Sequence, residues 1–328
     1  MSKIITLGEI MLRFSTNVGE RINMVDSLCT HYGGAEANVA ISLANFGHEV
    51  SFASKVPENA LGTGAVQHLR RYNVSTKHVL TGGQRLGTYY VESGSGKRPS
   101  SVIYDRVSSS FAGIQVNEWK SQAIFHISGI TPALSDNWKK LTLDLIEEAQ
   151  NNNCLISFDV NYRNRLWSQK QAKEFLKLIL PKVDYCSAGK LDAMYLLDIP
   201  EYKNDQEELI YYYQKIQKKY PNIKCLYSTN REVVTASENY LTGSLLIDSE
   251  LFQSSTYHIQ PIIDRIGAGD AFVAGVLHSL LNGDSYQQTI DFATVAAVLK
   301  HTINGDANQF TCKEILQFMK NDSGKIMR

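Results

Sequence analysis

What the sequence lacks narrows its function before anything it contains. Neither charge is in surplus: 33 Lys and Arg stand against 33 Asp and Glu. No broad basic face is therefore expected, which speaks against a nucleic-acid partner or an anionic membrane surface. The five cysteines are scattered, odd in number and without a CxxC pair. Such usage excludes a disulfide framework and the common zinc sites, and fits a reducing compartment. The eight histidines include no HExxH spacing. The longest nearly apolar stretch, Ala271 to Leu281, is broken by His278 and is too short to cross a bilayer. The opening MSKIITLGEIML has neither the cationic start nor the long apolar core of a signal peptide. A cytoplasmic protein without a membrane partner is the expectation. Internal repeats, linkers and low-complexity segments are missing as well.

What is present is a β-α-β rhythm over 328 residues that are 43% hydrophobic and 20% charged. Short apolar runs at 3–10, 49–56, 123–130, 154–163, 182–189 and 223–230 read as strands. Helical patterns over 35–47, 136–151, 169–180 and 206–220 separate them. This alternation predicts a three-layer α/β/α domain over 1–328, with a mostly parallel central sheet. Two stretches break the rhythm, about 11–35 and 85–111. They read as β-rich runs that form a small projecting sheet, a lid over the carboxyl edge of the main sheet where open α/β sheets bind ligands. Phe14, Tyr89 and Val91 are expected to be exposed on it and to pair with another subunit, giving a homo-oligomer.

The segment IDRIGAGDAFVAGVLHSLLNG (263–283) carries the chemistry. Gly267, Ala268 and Gly269 make a side-chain-free turn that runs straight into an apolar helix. Successive N–H groups in such a turn form an anion-binding concavity. A carboxylate there, Asp270, would repel a phosphate. It makes sense as a base that takes the proton from an attacking hydroxyl while the N–H groups hold the charge developing on the transferring group. The competing reading is that Asp270 is merely the helix cap.

The longer string Asp264 to Phe272, D-x-x-G-A-G-D-x-F, resembles the signature of the ribokinase-like (PfkB) carbohydrate kinases. Gly33-Gly34-Ala-Glu-Ala-Asn38 is similar to that family's sugar-binding G-G-x-x-x-N. Further matches, among them LGEIMLRFS, TYYVE, YDR, FDVNYR with LW, and INGDA, resemble the 2-keto-3-deoxygluconate kinase branch from Leu7 to about Asp306. The resemblance implies a ribokinase-like fold, ATP and Mg²⁺ as cofactors, and transfer to the terminal hydroxyl of a sugar acid, giving 2-keto-3-deoxy-6-phosphogluconate. It implies that Gly33, Gly34, Asn38, Tyr90, Tyr104, Arg106, Arg163, Asp270 and Asp306 contact the sugar acid. Arg106 and Arg163 would meet its carboxylate with planar, two-pronged donors. Asn161, Arg163, Ser228, Asn230, Gly267 and Gly269 would face the nucleotide, and Asp192 would act on the metal indirectly. Arg165 reads as a surface ion-pair residue.

Two stretches depart from the family pattern. Asn230 and Val233 replace glycines of a late turn near the nucleotide; Asn230 is expected to keep that turn, since Asn tolerates left-handed backbone angles. Gly189-Lys-Leu-Asp192 replaces the N-x-x-E motif. A neutral-sugar kinase of the same family, a fructokinase or ribokinase, and a catalytically silent sugar-acid binding protein are the alternative functions.

Overall fold

The computed structural model describes residues 3–114, 124–202 and 208–320. The chain opens with β1 (Lys3–Leu7), β2 (Met11–Ser15), β3 (Cys29–Gly33), α1 (Ala35–Asn45) and β4 (Glu49–Val56). α2 (Ala60–Arg71) and β5 (Ser75–Thr81) follow, then the hairpin of β6 (Thr88–Glu92) and β7 (Ser101–Asp105). The middle repeats the βα rhythm: β8 (Ile124–Ser128), α3 (Asp136–Asn151), β9 (Leu155–Asp159), α4 (Gln169–Ile179), β10 (Tyr185–Ser187), α5 (Lys190–Leu196) and α6 (Glu208–Lys219). An antiparallel run comes next, β11 (Cys225–Thr235), β12 (Glu238–Ile247), β13 (Glu250–Gln253) and β14 (Tyr257–Ile259). α7 (Ala268–Asn282), α8 (Tyr286–Lys300) and α9 (Cys312–Lys320) complete the described chain. Residues 123 and 206–207, at the starts of two expected elements, lie outside the described residues.

The main sheet has the order β13-β12-β11-β10-β9-β8-β1-β4-β5, with β14 also on β12. β5 through β11 run parallel, and β12 turns antiparallel to β11. Both faces are buried, as the period-2 geometry of strands requires when helices cover each side. Ile4 packs into a cluster with α1, α7 and α8, while its neighbour Ile5 packs into the opposite cluster with α3, α4 and α6. Leu245 and Leu246 divide the same way. The three-layer α/β/α architecture expected from the alternation is present.

The small sheet has the order β3-β2-β6-β7. Its register assigns residues to faces. Arg13 lies opposite His31 and Tyr89, and Tyr89 opposite Tyr104. On this row's face Met11, Tyr89 and Val91 pack against Ile266, next to the turn before α7. Phe14, Tyr90 and Ile103 share the alternate row. There Phe14 stacks on Tyr90 with ring centroids 5.2 Å apart, and Ile103 is 53% exposed. Tyr89 and Val91, expected outside, are therefore buried at 4% and 3% exposure. One step along a strand moves a side chain from one face to the other.

α7 and α8 pack closely because α7 carries Gly275 at the crossing. A Cβ there would lie 2.6 Å from Ala293 Cα. Ala has better helix propensity than Gly by about 1 kcal/mol. Forcing a methyl against backbone costs about 1–3 kcal/mol. Gly275→Ala should therefore lower stability despite the gain in propensity, and urea denaturation measures the balance.

Candidate active site

The turn before α7 is built for glycine. Gly267 sits at φ 83° and ψ −4°, in the left-handed region, and a Cβ on it would lie 1.8 Å from the Asp306 carbonyl oxygen. It is Gly267, not Asp270, that occupies the N-cap position. The N–H groups of Gly269 and Asp270, at the start of the helix, have no acceptor among the described residues. Asp270 lies in the first turn and its carboxylate is not spent on capping. It accepts a 2.7 Å hydrogen bond from Asn38 Nδ2. Asn38 is buried on α1, and its Oδ1 has no partner among the described residues. The pair thus leaves a carboxylate and a buried amide oxygen facing one position.

Gly33 and Gly34, just before α1, are demanded by close packing. A Cβ on Gly33 would lie 2.2 Å from Asp306 Oδ2, and one on Gly34 2.0 Å from the Glu9 carbonyl oxygen. Beneath them runs a buried charge network. Arg13 Nη1 donates to Asp264 Oδ2 at 2.7 Å and to Asp306 Oδ1 at 2.9 Å. Tyr89 Oη donates to Asp306 Oδ2. Asp264 also accepts the N–H groups of Ile266 at 3.1 Å and Gly305 at 3.2 Å. Burial opposes the Arg13 charge, but Asp306 and Asp264 outweigh it and raise its pKa further.

Carboxyl groups gather at the carboxyl edge of the sheet. Burial pushes Asp270 up to about 7; Asn38's hydrogen bond and Arg163 pull it back, while Asp159 and Glu36 push it higher. Asp270 keeps a partial opening to water. Asp159, the last residue of β9, is raised to about 6, first by burial and then by Asp192 and Glu36, against Ser187 and Arg163. Burial likewise raises Asp192, although the Gly189 N–H donates to it at 2.9 Å. Glu36 is buried under the start of α1. It accepts from the Ser128 N–H at 3.0 Å and the Ser128 hydroxyl at 2.7 Å.

Cations frame these acids. Arg163 is exposed, donates only to its neighbour's carbonyl at Tyr162, and acts electrostatically on Asp159, Asp192 and Asp270. Arg231 on β11 is exposed to solvent, yet the protein crowded around it, and then Arg265 and Arg163, lower its pKa. Arg265 donates to the Ala236 carbonyl at 2.8 Å. None of these three arginines has a salt bridge among the described residues. A like-charged group without counter-ions, beside a helix N-terminus, is a receiving surface for a polyanion. A cavity of about 930 Å³ lies between β3, α2 and residues 302–309. It meets the site only at Gly305 and Asp306, so Asp270 and Asn38, not that cavity, define where chemistry would occur.

The profile described as pfkB family carbohydrate kinase matches residues 1–310. The chain belongs to that family. A 2-dehydro-3-deoxygalactonokinase of Haloferax volcanii is 30% identical over 335 residues, covering 100% of this chain and 99% of its own. The 2-dehydro-3-deoxygluconokinase of Thermotoga maritima has been solved; it is 35% identical with a TM-score of 0.93, over 98% of this chain and 100% of its own. A solved PfkB family carbohydrate kinase of Listeria grayi is 44% identical, TM-score 0.93, over 97% and 100%.

Several expected residues of this PfkB kinase do stand together: Gly33, Gly34, Asn38, Gly267, Ala268, Gly269 and Asp270 meet where α1 and α7 begin. Others are placed differently. Asp306 was expected to accept from a sugar hydroxyl, yet it is 2% exposed and both its oxygens are taken by Arg13 and Tyr89. Tyr90 shares a sheet face with Phe14, away from Tyr104; Tyr89 is the tyrosine stacked on Tyr104, with centroids 5.7 Å apart. Arg106 is paired with Glu9 in a buried ion pair. Arg165 makes no ion pair among the described residues and donates to the Val102 carbonyl on β7 at 2.7 Å, tying the small sheet's edge to the loop after β9.

On the expected nucleotide side, Asn230 and Val233 form no turn. They are regular β11 residues opposite Thr242 and Asn239, and neither has positive φ. The hairpin turns instead beyond Thr235. Ser228 shares a 2.7 Å hydrogen bond with the Tyr213 hydroxyl. Asn161, just past β9, does take positive φ, 39°, which turns the chain toward Arg163. Arg13, Glu9, Glu36, Tyr89, Arg231 and Arg265 were not anticipated. Arg13 in MLRFS, a charge on an inward strand position, was the one legible signal among them.

Replacing Arg13 leaves Asp264 and Asp306 buried without their bridge, a loss of about 3–5 kcal/mol. Arg13→Met should melt at much lower temperature than the native protein at neutral pH and recover part of the difference in acid, where the carboxyls protonate. A thermal melt series against pH measures both.

Proposed function

We propose that this kinase transfers the terminal phosphoryl group of ATP to the terminal hydroxyl of 2-keto-3-deoxygluconate or its galactonate epimer. The observation that carries the reading is the Asp270 carboxylate, held by Asn38 at the floor of the cleft, free of any capping role and beside unpaired helix N–H groups. Asp270 takes the hydroxyl proton as the oxygen attacks phosphorus, and the N–H groups of Gly269 and Asp270 hold the charge spread over the transferring group. A base with its pKa near the working pH suits that task. Arg163, Arg231 and Arg265 receive the anionic ends of the two substrates. The names of the relatives support the sugar-acid class.

Mg²⁺ fits the donors in one manner. Among the described residues no cluster of His, Cys, Asp and Glu could hold a metal by itself. Asp159, raised by burial and by Asp192, and Asp192, raised by burial, would instead hold a hydrated ion carried on the nucleotide phosphates. Such an ion neutralises phosphate charge.

Arg106 gives the neutral-sugar reading its weight, because Glu9 already balances the guanidinium expected to meet the substrate carboxylate. A coupled ADP-release assay over 2-keto-3-deoxygluconate, the galactonate epimer, fructose and ribose decides between them. Turnover confined to the keto-acids supports the proposal, and equal or greater turnover on fructose or ribose overturns it. Sugar-acid binding by calorimetry with no turnover would make this a silent binding protein.

Asp270→Asn should keep the fold and sugar binding and lose about 10²- to 10⁴-fold in kcat. In the native enzyme kcat/KM should rise with pH through about 7 and then level. The sign for stability is opposite. The folded pKa lies above the ordinary value of 3.8, so this group's contribution is full in acid and is lost as pH rises through about 7. The Asn variant should lose both slopes.

The outward face of the small sheet, with the Phe14–Tyr90 stack and exposed Ile103, is proposed to pair with a second copy across a lid that closes over the site. Light scattering should show a dimer or larger, and Ile103→Glu should shift it toward monomer.

A further inference from the structure

Lys300 closes α8 and is fully buried, at 0% exposure. A buried lysine is ordinarily paired with a carboxylate, yet among the described residues none lies within salt-bridge distance of Nζ. The ammonium instead donates to two backbone carbonyls, Asp264 at 3.4 Å and Ile303 at 3.5 Å. Those carbonyls belong to the two loops that enclose the turn before α7. One loop runs from Asp264 into Gly267. The other runs through Gly305 to Asp306, whose carbonyl oxygen lies against the Gly267 Cα so closely that no Cβ fits. The end of α8 holds the first loop a second time, since the Ile263 N–H donates to the His301 carbonyl at 2.8 Å.

Charge makes the same point. The buried network beneath the turn contains two acids, Asp264 and Asp306, and Arg13 contacts both. Arg13 alone would leave one net negative charge under a site meant to receive an anion. Burial opposes the Lys300 charge and lowers its pKa, while Asp264, Asp306 and Asp270 draw it back toward the charged form against Arg13; as an ammonium it brings the network to neutrality. Repulsion between a buried charge and a phosphoryl group in a low-dielectric setting is far larger than in water.

We infer that Lys300 is a positioning residue for phosphoryl transfer: a tethered cation that clamps the Asp264 and Ile303 carbonyls and neutralises the acid pair, so that the N–H groups ahead of Asp270 can accept an anion. It touches neither substrate nor reacting atom. The inference rests on Asp270 and the adjoining N–H groups being the reaction centre.

The test compares Lys300→Met, which keeps most of the volume without the charge, with Lys300→Ala, which opens a space that a small cation can enter. Both should lose about 10- to 100-fold in kcat, the scale of a misplaced reacting group, with the sugar KM moved much less. Added ammonium or methylammonium should restore the Ala variant's kcat saturably and leave the Met variant unchanged, while tetramethylammonium at equal ionic strength restores neither. Native-like kcat in a folded Met variant, or a loss in the Ala variant that no small cation relieves, overturns the inference. If neither variant folds, refolding with the same cations provides the readout. Recovery of folded Ala variant alone supports the clamp, and no recovery refutes it. Asp270→Asn, assayed alongside, separates the two claims. An active Asn variant removes the base, whereas an inactive one beside a fully active Met variant removes only Lys300.

Discussion

The site depends on one buried guanidinium. Arg13 bridges Asp264 and Asp306, residues 251 and 293 positions away in sequence, and so joins the small sheet to the loops on either side of α7 and α8. Each partner does further work. Asp264 takes the Ile266 and Gly305 N–H groups, while Asp306 presses its backbone on Gly267 and its side chain on Gly33. The glycine motifs near residues 33 and 267 are therefore two sides of one contact. A network this buried fixes geometry more than it adds net stability, and Arg13 Nε is left without a partner among the described residues. The turn ahead of Asp270 has its shape because β2 of the small sheet reaches under it.

That arrangement puts many charges in a small space, and their placement is unequal. Acids lie at the floor, at the ends of β9, α1 and α7, where burial raises their pKa values. Arginines from the β9 loop, β11 and the turn before α7 stand around them without counter-ions among the described residues. The floor is suited to taking protons and the rim to holding anions. Neither could be exchanged for the other: a buried cation at Asp270's position would abolish the base, and acids on the rim would repel a polyanion.

Much of the fold was readable from periodicity, because a sheet buried on both faces leaves apolar runs and its covering helices leave 3.6-residue patterns. The Asp270 turn was readable because only glycine permits its dihedrals and contacts. What the sequence hid was orientation. TYYVE contains adjacent tyrosines, and only the pairing of Tyr89 with Arg13 and Tyr104 assigns Tyr89 to the cleft side. Asn230 and Val233 looked like an altered turn because a glycine pattern was expected there, whereas the strand simply continues. Asp306 was expected to accept from a sugar hydroxyl, and its burial between Arg13 and Tyr89 became visible only in the fold. Lys300 left a trace that went unread, a single charge ending the apolar run FATVAAVLK. Arg231 left none, since an arginine on a polar strand end acquires meaning only from what surrounds it.

The rim also bears on the base proposed at Asp270. A polyanion entering the cleft adds like charge near Asp270 and by itself would raise a pKa already near the working pH, protonating the group proposed to accept a proton. Arg163 opposes this directly, since it already draws Asp270, Asp159 and Asp192 toward their charged forms. Arg231 and Arg265, close enough to Arg163 for mutual repulsion to depress Arg231, gain stability when an anion arrives between them. Binding of the anion and retention of the base's charge are then coupled through the same arginines. A cleft of acids alone would bind no phosphate, and one of arginines alone would hold no base. The two sets work because the anion that relieves the rim settles where the rim can still compensate the floor.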